Sequence, residues 1–155
     1  MPKRITPIAI DNFPSISTNC FGFGIGNTTP VRESEDLYNL DHHLPIDEAF
    51  LAKLSELGYE ELPRQIQSVD EAKDGEFVIM VFDFTEYRYK HPFMGWETRW
   101  DYHVVRRELD GTWVHKPGWD EMPCEICTDA DWEAIYDEFG REYVLFAVAE
   151  KWILK

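Results

Sequence analysis

Cysteines, basic residues and long apolar runs are all scarce in this sequence, and each scarcity excludes a class of protein. The 155 residues include three cysteines, an odd and low number that argues against a disulfide framework. No apolar run reaches the ~18 residues that a membrane span needs. Fifteen basic residues face 30 acidic ones, for a net charge of −15. We therefore expect no direct binding to nucleic acid or to an anionic membrane, since both need a basic face.

Length and composition predict one soluble globular domain that covers residues 1–155. Hydrophobic residues make up 44% of the chain and charged residues 29%, which is ordinary for a protein with a packed core. The start, Met1–Ile5, has two basic residues but no apolar segment of the signal-peptide kind. We expect a cytoplasmic protein, with export by a separate machine left open.

The acidic charge is uneven along the chain. Residues 33–61 and residues 119–142 each hold nine acids and one base, whereas residues 86–107 hold five bases and three acids. The excess of acid has two interpretations: a solvated surface that keeps the protein soluble, or mimicry of a polyanion that occupies the basic groove of a partner. The locally basic middle of the chain indicates where a site would lie.

Apolar periodicity and turn residues predict an early helix followed by late strands. We expect a short edge strand over residues 5–10, a helix over 46–57, a loop or short helix over 63–75, a central strand over 76–84, an aromatic, basic loop over 85–99, strands over 100–107 and 112–116, a helix over 129–139 and a final strand over 142–149. This order favours an α+β domain with an antiparallel sheet.

Two groups of metal-binding residue types are present, and neither predicts a metal or cofactor site. Cys124 and Cys127 form a lone C-x-x-C without a second ligand pair, in acidic surroundings that raise rather than lower a thiol pKa. His42 and His43 are adjacent in a loop, so their side chains point apart. We interpret both groups as structural or solvated.

The turn between the strands at 100–107 and 112–116 decides whether His103 and His115 share a face of the sheet. A two-residue Asp110–Gly111 loop puts them on opposite faces. A three-residue loop over 109–111, with Gly111 left-handed and a bulge, pairs Glu108 with Thr112 and makes the two histidines diagonal neighbours. The sequence leaves both alternatives open.

Several segments resemble the NlpC/P60-type cysteine peptidases. Asn19-Cys20-Phe21-Gly22-Phe23 is similar to that family's Asp-Cys-Ser-Gly-Phe nucleophile segment. His103-Val104 is similar to its catalytic His-Val-Gly-Ile-Tyr strand, with Val105 in place of the glycine. Val114-His115 resembles the Phe-Ile-His segment that follows about a dozen residues later, and residues 73–78 resemble its Pro-Gly-Asp-Leu-Val strand. The resemblance covers residues 20–118, with a longer gap between Cys20 and His103.

The resemblance implies a papain-like α+β fold with the nucleophile on an N-terminal helix, and hydrolysis of an amide, often in cell-wall peptides. Cys20 would be the nucleophile, His103 the general base and His115 the residue that orients it; Asp101, on the same strand face as His103, is a rival for that role. Thr18 and Asn19 are helix N-cap types, so Cys20 is expected in a first helical turn, where a thiolate is favoured. The ordinary alternatives are a buried thiol and structural histidines.

Substrate contacts are expected beside the histidines. Arg107 shares the strand face of His103, and its guanidinium suits a carboxylate on the substrate. Trp100 and Trp113 would wall the groove. The sequence thus predicts a thiol-dependent hydrolase, with a non-catalytic acidic binding or inhibitor protein, including a degenerate papain-like fold, as the alternative.

Overall fold

A computed structural model of the chain describes residues 4, 5, 8, 13, 20–26, 38–116, 124–128 and 143–149. The elements are helices α1 (Cys20–Ile25) and α2 (Ile46–Glu56), strand β1 (Arg64–Ile66), a 3-10 turn (Val69–Glu71), and strands β2 (Glu76–His91), β3 (Gly95–Arg107), β4 (Thr112–His115), β5 (Cys124–Thr128) and β6 (Tyr143–Ala149). The strands form one sheet in the order β1-β6-β2-β3-β4-β5. Every strand pair is antiparallel, which confirms the α+β expectation.

Helix α2 lies where the apolar spacing predicts it. Phe50 and Leu54 are fully buried, because residues four apart share one helix face. Gly58 ends the helix in a left-handed conformation with φ of 91°, which glycine adopts without a Cβ penalty. The N–H of Tyr59 then donates to the carbonyl of Leu54 at 3.0 Å.

The central strands separate two hydrophobic clusters. The first cluster packs with the helices and contains Ile79 and Val104, whereas the second cluster, on the other face, contains Met80 and Val105. Successive residues of a strand point to opposite faces, so each of these strands contributes to both clusters. Burial on both faces accounts for the continuously apolar sequence of residues 77–82.

The segment over residues 85–99, predicted to be a loop, is instead a hairpin, and that prediction is wrong. After a register shift that follows Phe82, β2 and β3 stay paired from Thr85↔Asp101 to His91↔Gly95. Among the described strands, β6 pairs with β2 only as far as Phe82, and β4 pairs with β3 only at Arg106 and Arg107. Residues 85–101 therefore form a two-stranded extension of the sheet, called the arm below.

Some predicted elements lie outside the described residues. The helix over 129–139 is one, and of the edge strand over 5–10 only residues 5 and 8 are described. The loop or short helix over 63–75 contains β1 and the 3-10 turn. Strand β5, which carries Cys124 and Cys127, has no counterpart among the predicted elements.

Helix α1 packs closely against β3 through a glycine. A Cβ atom added to Gly24 would lie 2.7 Å from Cγ1 of Val104, closer than packed carbon atoms approach. Arg106, fully buried two residues further along β3, donates to the carbonyl oxygens of Phe23 and Ile8 and pairs with Glu108 at 2.7 Å. Close packing and a buried guanidinium together fix α1 on the face of the first cluster.

We predict that Gly24→Ala destabilises the fold by about 1–2 kcal/mol, although alanine is the better helix former, because the methyl group overpacks against Val104. Urea unfolding measures this change. In a Val104→Ala background the same substitution should cost nothing or stabilise, since the clash is gone. An equal loss in both backgrounds would contradict the close approach.

Candidate functional site

The β3–β4 turn has the three-residue form. The N–H of Glu108 donates to the carbonyl of Thr112 at 2.8 Å, and the N–H of Gly111 donates to the carbonyl of Glu108 at 3.1 Å. Gly111 has φ of 87°, the left-handed conformation that the bulged loop requires. Beyond the turn, Arg106 pairs with Val114, so continuing the register places Val105 opposite His115. Of the two loops that the sequence allows, this one puts both histidines on one face.

His103 and His115 form a hydrogen-bonded pair. Nε2 of His103 lies 2.8 Å from Nδ1 of His115, and the two rings are nearly perpendicular at 85°. Both side chains are half-buried. The ring of Phe82, which pairs with His103 across the β2–β3 ladder, lies almost parallel to the His103 ring at 6.4 Å between centroids. The pair therefore lies at the edge of the second cluster, where the His103 ring has His115 on one side and Phe82 on another.

Burial keeps His103 uncharged at neutral pH. Desolvation lowers the pKa of His103 to about 4, and the charge of His115 acts in the same direction. A neutral imidazole has one donor nitrogen and one acceptor nitrogen. Nε2 is engaged with His115, and Nδ1 makes no hydrogen bond to any residue that the structure describes. Nδ1 is thus the nitrogen of His103 that the pairing with His115 leaves unbonded among the described residues.

Cys20 begins α1, as the sequence predicts, but it lies on the other side of the sheet from the histidines. Its side chain is buried, 9% exposed, in the first cluster together with Val104. His103 pairs with Phe82, a member of the second cluster, so His103 and Val104 point to opposite faces. The structure brings His103 and His115 together and does not bring Cys20 to them.

The other predicted site residues differ in where the structure places them. Arg107 is half-buried on the face of His103, as expected from its position in β3. Trp113 is fully buried in the second cluster, so it packs the core instead of walling a groove. The side chains of Trp100 and Asp101 lie outside the described part of the structure, so the choice between Asp101 and His115 stays a prediction; His115 does contact His103.

Sequence reasoning missed the structural role of Arg106. Its guanidinium lies 4.4 Å from the centroid of the Phe23 ring and is 0% exposed. Two residues beyond Val114 on the same side of β4, Lys116 is also buried, at 1% exposed. Side chains alternate between the two faces of a strand, so Arg106 lies on the face opposite to that of His103. This alternation is the sequence signal that could have indicated the structural role of Arg106. Arg106 thus supports the side of the sheet that carries α1, through its hydrogen bonds to the carbonyl oxygens of Phe23 and Ile8.

A cavity of about 220 Å³ lies at the β1–β6 edge, away from the histidine pair. Apolar atoms of Ile5, Leu62 and Val148 line it together with the carboxylates of Glu61 and Glu76. Glu76 pairs with Arg64 at 2.6 Å, and Glu61 pairs with Arg4 at 3.5 Å. The carboxylates at this cavity are therefore already neutralised by partners within the chain.

Neither a metal cluster nor a known relative defines the site. Within the described ranges no group of three or more histidine, cysteine or acidic side chains converges on a point that could hold a metal ion. In the same part of the chain, no helix has the length and apolarity needed to cross a lipid bilayer. A comparison with protein-family models finds no match, and comparisons with curated proteins and with solved structures find no significant match.

The lowered pKa of His103 predicts a pH-dependent stability. Above pH 6.5 the residue is neutral in both the folded and the unfolded state. As the pH falls from 6.5 towards 4, only the unfolded state takes up the proton, so the free energy of unfolding falls, by up to about 3 kcal/mol in total. Urea unfolding across this range measures the slope.

His103→Gln should remove that contribution, about 1.4 kcal/mol per pH unit within the window. His42→Gln, in an exposed loop, is the matched control and should leave the slope unchanged. If His103→Gln and the parent protein lose stability in parallel, His103 titrates normally and the buried pair is refuted.

Proposed function

We propose that the protein is a thiol-dependent hydrolase that cleaves an amide bond, with His103 as the general base, His115 as its positioning residue and Cys20 as the nucleophile. The observation that carries the proposal is the hydrogen bond between the histidines, which a specific turn geometry sets up. A neutral imidazole held by a second group through one nitrogen, with the other nitrogen available, is the arrangement that a general base needs.

The proposed reaction uses the two nitrogens of His103 differently. Nε2–H donates to Nδ1 of His115, which leaves the lone pair of Nδ1 to accept the thiol proton of Cys20. The sulfur attacks the amide carbonyl carbon, and the tetrahedral intermediate collapses as Nδ1–H passes its proton to the leaving amine. Water, deprotonated by Nδ1, then hydrolyses the thioester to release the acid and restore the thiol.

The order of elements supports a papain-like, NlpC/P60-like fold as the finer description. Cys20 starts a short helix that packs on the sheet, and His103 and His115 follow on adjacent antiparallel strands. Under this proposal the substrate is a peptide or a cell-wall-like amide, cleaved in the cytoplasm unless a separate machine exports the protein.

A second candidate is a non-catalytic acidic binding protein built on the same fold, with the polyanion mimic as one form of it. The position of Cys20 favours it, since a thiol packed in the first cluster across the sheet from His103 behaves as a small buried hydrophobe. Catalysis requires Cys20 and Nδ1 of His103 to meet on one side of the sheet, whereas in this structure the sheet lies between them. The reactivity of the thiol therefore separates the two candidates.

Alkylation with iodoacetamide near neutral pH, resolved for each cysteine by mass spectrometry of peptides, tests the proposal. A catalytic Cys20 should react faster than Cys20 in the urea-unfolded chain, because only the folded protein supplies the base. His103→Gln should slow the reaction of Cys20 roughly tenfold or more, and the exposed-loop control His42→Gln should not.

If native Cys20 is inert and becomes reactive only on unfolding, the hydrolase is refuted and the binding protein remains. If Cys20 reacts quickly but equally in His103→Gln, the thiol is accessible without being activated, and the assignment of His103 as base is wrong.

The substrate side of the proposal places Arg107 beside the base. Arg107 shares the face of His103, and a guanidinium binds a carboxylate through two parallel hydrogen bonds. We expect Arg107→Gln to raise KM or lower kcat by roughly tenfold for a carboxylate-bearing substrate and to leave its amide analogue nearly unaffected. An equal loss for both substrates would show that Arg107 supports the fold and does not bind the substrate's charge.

A further inference from the structure

The tip of the arm exposes the largest apolar side chains of the described surface. Phe93 is 92% exposed, Met94 79% and Trp96 61%. They follow one another around the turn that joins β2 to β3, where Gly95 has φ of 77°. The three side chains thus form a convex apolar cap at the end of a narrow two-stranded ribbon. The cap and the two cations that flank it, Arg88 and Lys90, are called the tip below.

Two exposed cations flank this cap. The guanidinium carbon of Arg88 lies 5.7 Å from the centroid of the Trp96 ring, and Nζ of Lys90 lies 6.0 Å from it. Lys90 pairs directly with Trp96 across the ladder. Both residues are exposed, so their charges remain in water. The tip therefore combines an indole, two further apolar side chains and two exposed positive charges, with one half-buried acidic residue, Glu97, directly after Trp96 in β3.

The acidic charge of the rest of the chain has little effect at this distance. The β2 strand of the arm runs over seven residues, from Thr85 to His91, so six steps of ~3.3 Å make the arm about 20 Å long. The Debye length at physiological ionic strength is about 8 Å. The net charge of −15, which argues against an anionic partner for the chain as a whole, is therefore largely screened at the tip.

We propose that the tip of the arm binds an anionic phospholipid surface. Phe93 and Met94 insert at the boundary between headgroups and acyl chains, the indole of Trp96 lies at headgroup level, and Arg88 and Lys90 contact lipid phosphates or carboxylates. A convex cap suits a deformable lipid surface, whereas a protein partner would need a preformed pocket of matching shape. This proposal is independent of the hydrolase chemistry, and it runs against the expectation, drawn from the net charge of the whole chain, that the protein does not bind an anionic membrane.

Co-sedimentation of the full chain with large unilamellar vesicles tests the proposal at physiological ionic strength. One set of vesicles is phosphatidylcholine with phosphatidylserine, and the other is phosphatidylcholine alone. We expect binding to the first set that is roughly tenfold stronger than to the second. The double variant Phe93→Ser/Met94→Ser should lose binding to both, and Arg88→Gln/Lys90→Gln should lose only the preference for phosphatidylserine.

Leu62→Ser and Leu109→Ser are the matched controls, since both remove an exposed leucine outside the arm, at 46% and 41% exposed. They should bind like the parent protein. Failure of the parent to sediment with either set, or an equal loss in the controls, would overturn the proposal. So would a parent protein that is oligomeric in size-exclusion chromatography and becomes monomeric in Phe93→Ser/Met94→Ser, because the tip would then dock on a second copy.

Discussion

The hydrogen-bonded turn between β3 and β4 fixes which side chains face each other across those two strands. Its two backbone hydrogen bonds close only because Gly111 adopts a left-handed conformation. With this loop, Trp113 enters the second cluster and Val114 packs with Phe23 of α1. A slip of one residue would exchange the two faces of β4, moving Trp113 and His115 to the side of α1 and Val114 to the side of the second cluster. The histidine pair and the packing of α1 therefore depend on the same three-residue loop.

The sheet separates Cys20 from the histidine pair. On one face, Arg106 and the close approach of Gly24 to Val104 hold α1 in the first cluster, and Cys20 with it. On the other face, the histidines lie beside the second cluster, where desolvation lowers the pKa of His103. The two histidines contact each other on one face of the sheet, and the thiol of Cys20 is buried on the other face. Thiol chemistry between Cys20 and His103 consequently requires an arrangement of the two side chains other than the one in this structure.

Local patterns were sufficient for some elements and insufficient for others. Helix α2 follows from the spacing of Phe50 and Leu54 and from the stop at Gly58, and β2 follows from its apolar run. The arm was not predicted, because residues 85–99 were interpreted from their composition. Aromatic and charged residues nevertheless alternate in Tyr87-Arg88-Tyr89-Lys90 with the period of a strand. Strand β5 is short and lies in acidic surroundings, so its apolar signal is weak.

The candidate site was likewise predictable only in the features that nearby residues determine. The chain order of Cys20, His103 and His115, the start of α1 and the two possible loops were all predictable, because they depend on residues close together in sequence. The choice of loop was not, since Asp110-Gly111 suits either form. The sheet face that receives α1 was not predictable either, because contacts far apart in sequence decide it, above all those of Gly24 and Arg106.

The protonation state of the histidine pair tests the account most directly. Nitrogen-15 NMR of the imidazole rings, assigned with His103→Gln and His115→Gln variants, reports which ring nitrogen of His103 carries the proton. We expect His103 to remain neutral from pH 7 to about pH 5, because its pKa is lowered to about 4. The proposed reaction further requires the proton to be on Nε2, which faces Nδ1 of His115, and Nδ1 of His103 to be unprotonated. A His103 that titrates near pH 6.5 with both tautomers populated would contradict the buried, hydrogen-bonded pair on which the proposed chemistry depends.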